Sequence, residues 1–347
     1  MRFMFKTDYE DDIKLFPHSG YLWSYGTLLL LLAIAPFVLS SYILSQLVFV
    51  CIYATVGVGL MILTGFTGQA SLGHAAFLAI GAYTAAYLQQ FNVPFPVYFL
   101  AAGLLTGVVG ALVGFPALRL QGIYLVIATI SFAFIVEEIL ARWESVTHGN
   151  EGMRVKTMSL FGSAVPRDSP AFYFLCLGVL ILTIVGTLNL LRSPTGRAFV
   201  AIRDNDTAAR VMGINLHAYK LFAFVTSAFI TGLSGALYGI YLSFVSVEGF
   251  PFLLSIEALA ILIVGGLGSA LGAVLGTVLI VLLPEATRFV FSLFSAQMDA
   301  LFSTGAQELK SMLYGLVIIL FLRFQPRGLV GAWHDIRRMW VNWPLRY

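Results

Sequence analysis

Apolar runs recur along this chain, separated by short polar breaks, and most are close to the roughly 20 residues that an α-helix needs to cross a hydrocarbon core. The runs Tyr25 to Ser41, Ile43 to Thr64, Val97 to Phe115, Gly122 to Leu140, Ala171 to Leu191 and Leu221 to Phe244 each predict one span. Trp23 and Tyr25 anchor the first at a membrane interface. Two further stretches are apolar but broken by glycine. Thr64 to Leu88 holds Gly65, Gly68, Gly73 and Gly81 with the polar Gln69, Ser71 and His74, and Ser255 to Leu283 reads VGGLGSALGAVLG at its centre. The second of these predicts two half-length pieces joined near Gly268, and Ser311 to Leu322 makes a last, short re-entry. The predicted fold class is all-α: a polytopic transmembrane helical bundle with about nine to ten membrane segments, some interrupted or re-entrant.

The polar breaks set the topology. Arg192 to Lys220 is the one water-facing stretch in the middle of the chain, with Arg192, Arg197, Arg203, Arg210 and Lys220 against Asp204 and Asp206. Basic loops favour the cytoplasm, so this stretch is predicted inside. Ser193 and Pro194 open one short helix; Asp206 opens a second that stops at Gly213. Asp206 and Arg210 have the spacing of an i,i+4 pair, and Ala208 and Ala209 are expected to be exposed beside these charges as a docking surface for a soluble partner. The tail from Arg323 is also basic. If hairpin and tail share a side, an even number of crossings separates them, which puts Pro284 to Lys310 outside. The loop Arg142 to Pro170 is expected outside too, despite Arg142, Arg154, Lys156 and Arg167. The resulting division is a cytoplasmic N-terminal segment 1–24, a membrane region 25–324 with the hairpin at 192–220, and a cytoplasmic tail 325–347.

Some glycines predict close helix packing and others admit a second reading. Gly103, Gly107, Gly110 and Gly114 form small-xxx-small pairs on one span. Gly65-x-x-Gly68 and Gly265-x-x-Gly268 hold similar places in the two halves of the chain and suggest a weak internal repeat. Paired interrupted helices of this kind line solute pathways in many transporters, which makes Gly65, Gly68, Gln69, Ser71, Gly73, His74, Gly265, Gly266, Gly268, Ser269 and Gly272 candidate pathway residues. Plain close packing explains the same glycines, and a hydrogen-bonded packing role explains His74 as well as a proton relay does. Glu137, Glu138 and Glu257 are expected at the membrane interface rather than inside.

Composition narrows the function. The chain is 59% hydrophobic and only 11% charged, which excludes a soluble domain, and a net charge of +3 carried in loops gives no nucleic-acid footprint. Cys51 and Cys176 fall in apolar runs and read as core residues, with no metal-ligand spacing. The N-terminus lacks the pattern of a removable signal. No lysine is preceded by glycine, so there is no P-loop, and there is neither an H-E-x-x-H motif nor an arguable nucleophile and base. The reading is a non-enzymatic helical solute pathway that draws its energy from a partner, with a stand-alone channel or facilitator as the alternative.

Blocks along the chain also resemble a known family. TGFTGQASLGHAAFLAIGAY, LRLQGIYLVIATISF, THGNEGM, GRAFVAIRDNDTAARVMGINLHAYKLFAFVTSAFITGLSGALYG, IVGGLGSALGAVLG and FQPRGL occur in the order seen in LivM-like permease subunits of branched-chain amino acid ABC importers. The resemblance implies a bacterial inner-membrane protein that pairs with a LivH-like second permease, two ABC ATPase subunits and a periplasmic binding protein. It implies no cofactor on this chain, with ATP bound by the partners. Thr207, Ala208, Ala209 and Gly213 match the E-A-A-x-x-x-G loop by which such permeases engage their ATPases. Thr207 replaces the usual acid, leaving Arg203, Asp204 and Asp206 as the polar contacts. Thr147, Gly149 and Gly152 match an outward-loop T-x-G-x-x-G pattern. Phe134 and Glu137 stand where relatives often carry Glu and Arg, which fits a subfamily with another substrate, and urea, amides or aromatic acids are alternatives to branched-chain amino acids.

Overall fold

A computed structural model describes residues 19–120, 122–160, 163–292 and, with gaps, 312–342. The fold is a helical bundle. Helix α1 is Ser19–Val38 and α2 is Ser41–Leu60, which continues as a π-helical turn, Met61–Phe66. After an unwound stretch come α3 (His74–Gln90), α4 (Phe95–Ala117) and α5 (Ile123–Arg142). A short α6 (Glu144–Thr147) and small strands β1 (Met153–Arg154), β2 (Met158–Leu160) and β3 (Ser163–Val165) form a cap before α7 (Pro170–Arg192). The hairpin is α8 (Pro194–Asp204) and α9 (Asp206–Val211). Then follow α10 (Leu216–Leu242), β4 (Phe244–Val245), α11 (Phe252–Gly265), α12 (Ala270–Ser292) and α13 (Gly328–Asn342).

Six of these elements are long and apolar enough to cross a membrane: Ser41–Phe66, α4, α5, α7, α10 and Val247–Gly265. The fold class is all-α and polytopic as expected, while the larger segment count is not reached by these helices alone. Most of the large side chains on α1, α4 and α5 that face away from the bundle are bare hydrocarbon, including Leu31, Leu104, Leu112, Ile123 and Ile135, as a lipid-facing surface requires.

Helix α10 organises the interior, and glycine lets its neighbours close on it. A Cβ on Gly110 would lie 2.5 Å from Ala228 Cβ and one on Gly232 2.4 Å from Thr106 Oγ1, so α4 and α10 meet nearly backbone to backbone. On another face, a Cβ on Gly81 would lie 2.2 Å from the Gly232 carbonyl oxygen and one on Gly235 2.1 Å from that of Leu78, which seats α3 equally close. The small-xxx-small reading of α4 holds. Polar side chains join the helices further: Ser234 donates to the Ile52 carbonyl at 2.7 Å, and Tyr173 to that of Leu32 at 3.0 Å.

The cap lies at the end of the bundle opposite the hairpin. β1 pairs antiparallel with β4, Lys156 N donates to Gln89 Oε1, and Arg167 Nη1 reaches Ser243 Oγ. Thr147 Oγ1 donates to the Leu140 and Trp143 carbonyls at the end of α5 and accepts from Gly149 N, while Gly149 and Gly152 take positive φ of 58° and 72°. The Thr-x-Gly-x-x-Gly pattern is therefore a chain reversal. Three of the loop's four basic residues have local work as well: Arg142 pairs with Glu138, Lys156 with Asn92, and Arg167 with Ser243.

The expected joint near Gly268 is real: α11 ends at Gly265 and α12 starts at Ala270. Gly328, the first residue of α13, sits against Gly266, and Arg203 of the hairpin sits against Gly268, so hairpin and tail occupy the same end of the bundle. Helix α12 continues through Pro284 to Ser292, past the point where the apolar run was expected to end. Proline removes one backbone hydrogen bond, a loss a packed membrane helix absorbs. Residues 1–18 of the N-terminal segment and 293–310 of the stretch expected outside lie outside the described residues.

Candidate functional site

The hairpin is built by caps. Ser193 Oγ accepts from Gly196 N at 3.3 Å with Pro194 in the first turn of α8, and Gly213 closes α9 with φ +84°. Asn205 Oδ1 accepts from Ala208 N at 3.0 Å, so Asn205 is the N-cap of α9 and Asp206 its first helical residue. Asp206 pairs with Lys220 Nζ at 2.5 Å instead of Arg210. The turn after Gly213 folds α10 back beside α9 and brings that lysine to the carboxylate.

Of the two alanines only Ala208 is exposed. Ala209 is buried with Ile202 and Leu216 in a small apolar cluster belonging to the hairpin itself. Ala209, about 100° around α9 from Ala208, is the position that points at Ile202 and Leu216. The outward surface is Thr207, Ala208 and Arg210 with Val211 and Met212, which are 81% and 82% exposed. Sequence reading missed Val211 and Met212 because an apolar pair at a helix end reads as core.

Two groups of expected pathway residues meet at the hairpin end. The unwound stretch from Thr67 to Gly73 has part of its backbone satisfied from within the chain: Gln69 N donates to the Leu63 carbonyl, Thr64 Oγ1 to the Gln69 carbonyl, and Leu72 N to Thr129 Oγ1. Gln69 Nε2 reaches Thr67 Oγ1 at 3.1 Å and the Lys220 carbonyl at 3.5 Å. Gly65 abuts Gly268, whose N–H points at Met61 Sδ at 3.2 Å, and Arg203 Nη1 donates to the Gly65 carbonyl at 3.2 Å. The two glycine-rich interruptions thus touch each other. Gly265, Gly272 and Gly276 instead form the contact between α11 and α12, with Ser269 Oγ accepting from Gly272 N as the cap of α12.

His74 and Ser71 form a third group, deeper in the bundle. His74 Nδ1 is 3.2 Å from Ser71 Oγ, its Nε2 is 2.9 Å from Ser227 Oγ, and the ring is 1% exposed. Both nitrogens are occupied by hydroxyls and the side chain is buried, an arrangement that a packing role accounts for. The α10 partner was readable in principle, since Ser227, Thr231 and Ser234 form a hydroxyl stripe at helical spacing on an apolar helix. Gly73 abuts the Thr129 carbonyl. Ser255 Oγ accepts from Ala75 N at 2.9 Å, placing the first turn of α11 already inside the bundle.

That placement carries Glu257 inside. It is 3% exposed, contrary to the expected interfacial position, because Pro251 turns the chain inward before α11 begins. Glu137 and Glu138 are exposed, as expected. Phe134 stacks at a tilt on Phe252, 5.9 Å between centroids, and Glu137 lines a small void with Ala75, Ala79 and Phe250. A larger cleft of about 900 Å³ lies between α3, α4 and α5, walled by Tyr83, Leu104, Val108, Phe132 and Ile139. It suits hydrocarbon, since a charged solute there would lose hydration without gaining partners. Among the described residues no group of three or more His, Cys, Asp or Glu is placed to hold a metal ion.

Residues 42–322 match the family described as branched-chain amino acid transport system / permease component. The chain is 32% identical over 327 residues, covering 87% of it and 73% of the relative, to the high-affinity branched-chain amino acid transport system permease protein LivM of Escherichia coli K12. It is 26% identical over 289 residues to a probable branched-chain amino acid transport permease protein LivH of Methanocaldococcus jannaschii, covering 79% of this chain and 87% of that one. The autoinducer 2 import system permease protein LsrC of Enterobacter sp. 638 is 27% identical over 236 residues, 65% of each chain. No solved structure matches.

Proposed function

Since the chain belongs to the branched-chain amino acid transport permease family, we propose that its helices form one half of a solute path driven by ATPases docked on the α8–α9 hairpin. The chain is the membrane permease subunit of an ABC importer, a transport family rather than an enzyme family. One observation carries the docking role. The hairpin has its own small core and ion pair, holds Ala208, Val211 and Met212 outward, and touches both interrupted segments of the bundle. An incidental loop needs none of these.

In this reading the hairpin end faces the cytoplasm, together with α13, and the cap faces the binding protein. The proposed path counts α1, α2, the stretch 67–90, α4, α5, α7, α10, α11 and α12 as crossings, with one more needed to keep α13 on the hairpin's side. The partners are a LivH-like permease, two ATPases that bind the ATP, and a periplasmic binding protein in the bacterial inner membrane. Branched-chain amino acids are the proposed cargo. LsrC shows that related permeases serve chemically different solutes, so urea, amides and aromatic acids are the competing cargoes.

The test is to tag the chain, extract it gently and identify what stays bound by mass spectrometry. Two ATPases and a second permease are expected with wild type, and loss of the ATPases alone with Ala208→Glu, which puts a carboxylate on the outward face. An Ala208→Glu chain that keeps its ATPases and transports normally refutes the docking role. ATP-independent flux through the isolated chain would establish the facilitator instead. Leucine, isoleucine or valine stimulating ATP hydrolysis through the binding protein, with no response to urea or aromatic acids, would settle the cargo.

A further inference from the structure

Arg203 lies in the last turn of α8, its side chain 38% exposed and laid against the end of the bundle. Nη1 donates to the carbonyl of Gly65 at 3.2 Å, while Nε and Nη2 both hold Asp204 Oδ1, at 3.2 and 3.1 Å. Gly65 lies near the end of the π-helical turn, where a carbonyl has lost its regular helical partner. The stem of the same side chain passes Gly68: a Cβ there would lie 3.2 Å from Arg203 Cγ and 3.5 Å from its Cα. A Cβ on Gly268 would lie 3.2 Å from Nη1. Gly68 and Gly268 both have positive φ, 71° and 91°, so each interruption bends its backbone around the arginine at a position that disfavours a side chain.

We infer that Arg203 is the positioning residue through which movement of the docking hairpin reaches both interrupted segments at once. The inference rests on the docking role proposed above and gives Arg203 a different part in it, as an inward link rather than a contact to the ATPase. Its chemistry suits a link. A planar guanidinium can hold a carboxylate on two nitrogens and still present a third donor to a carbonyl, which a lysine ammonium cannot reproduce with the same geometry. The Asp206–Lys220 pair and the Gln69 contact to the Lys220 carbonyl run beside it, but they join the hairpin to one interruption only.

The experiment uses the reconstituted complex with its ATPases and binding protein, and reads the number of solute molecules transported per ATP hydrolysed. Arg203→Ala is expected to keep both ATPases and basal hydrolysis while transport per ATP falls at least about tenfold. Arg203→Lys should recover part of the ratio, and Asp204→Ala, which removes the acceptor held by two guanidinium nitrogens, should lower it partway. A purely structural role would reduce complex yield and leave the ratio of surviving complexes unchanged, which overturns the inference. So would an Arg203→Ala complex with wild-type stoichiometry, or one that sheds its ATPases and so marks Arg203 as a docking residue. Wild-type chain that retains no ATPase would overturn the docking role as well.

Discussion

Gly265→Ala distinguishes packing from pathway at the joint of α11 and α12. A Cβ on Gly265 would stand 1.9 Å from the Gly272 carbonyl oxygen, against an ordinary contact of at least 3.4 Å. The obstacle is backbone, which cannot rotate away, so the helices must part by roughly the missing 1.5 Å. Overpacking of this kind costs about 1–3 kcal/mol, partly offset by up to about 1 kcal/mol from better helix propensity of alanine over glycine. A net loss of about 1–2 kcal/mol is expected. The matched control is Gly178→Ala, in the interior of α7 with nothing within 4 Å of the added Cβ, where propensity acts alone and stability should rise by up to about 1 kcal/mol. Thermal unfolding in detergent, followed by fluorescence-detected size exclusion, compares the two. A Gly265→Ala protein that melts at or above wild type while solute flux changes would refute the packing assignment and return Gly265 to the pathway.

Two predictions concern polar and backbone detail. Ser227→Ala removes the hydroxyl at His74 Nε2 and leaves a buried ring nitrogen unpartnered, so stability should fall by about 1–3 kcal/mol; His74 as a proton relay would instead show unchanged melting with altered pH dependence of transport. Gly152→Ala places a Cβ 2.6 Å from the Val245 carbonyl oxygen at a φ of +72°, so the pairing of β1 with β4 should fail, read as faster proteolysis of the cap; wild-type protection would contradict that account of the glycine.

Sequence alone determined the membrane class, the approximate helix ranges and the hairpin. These follow from run length, period and cap residues, which are local quantities: Ser193–Pro194 starts a helix and Gly213 ends one whatever lies around them. The charge pattern placed hairpin and tail on one side, and the structure puts both at one end of the bundle. Tertiary structure decided the rest. No local signal tells which glycine meets a backbone and which faces open space: Gly265 and Gly178 lie in equally apolar runs, yet one touches Gly272 and the other nothing. Glu257 went inside because Pro251 turned the chain, Ala209 because α9 folded onto α8 and α10, and Arg203 reached the Gly65 carbonyl because Gly68 left room for its stem and Gly268 for its Nη1. Each outcome depends on residues far apart in sequence brought within a few ångströms, and only the packed chain holds those distances.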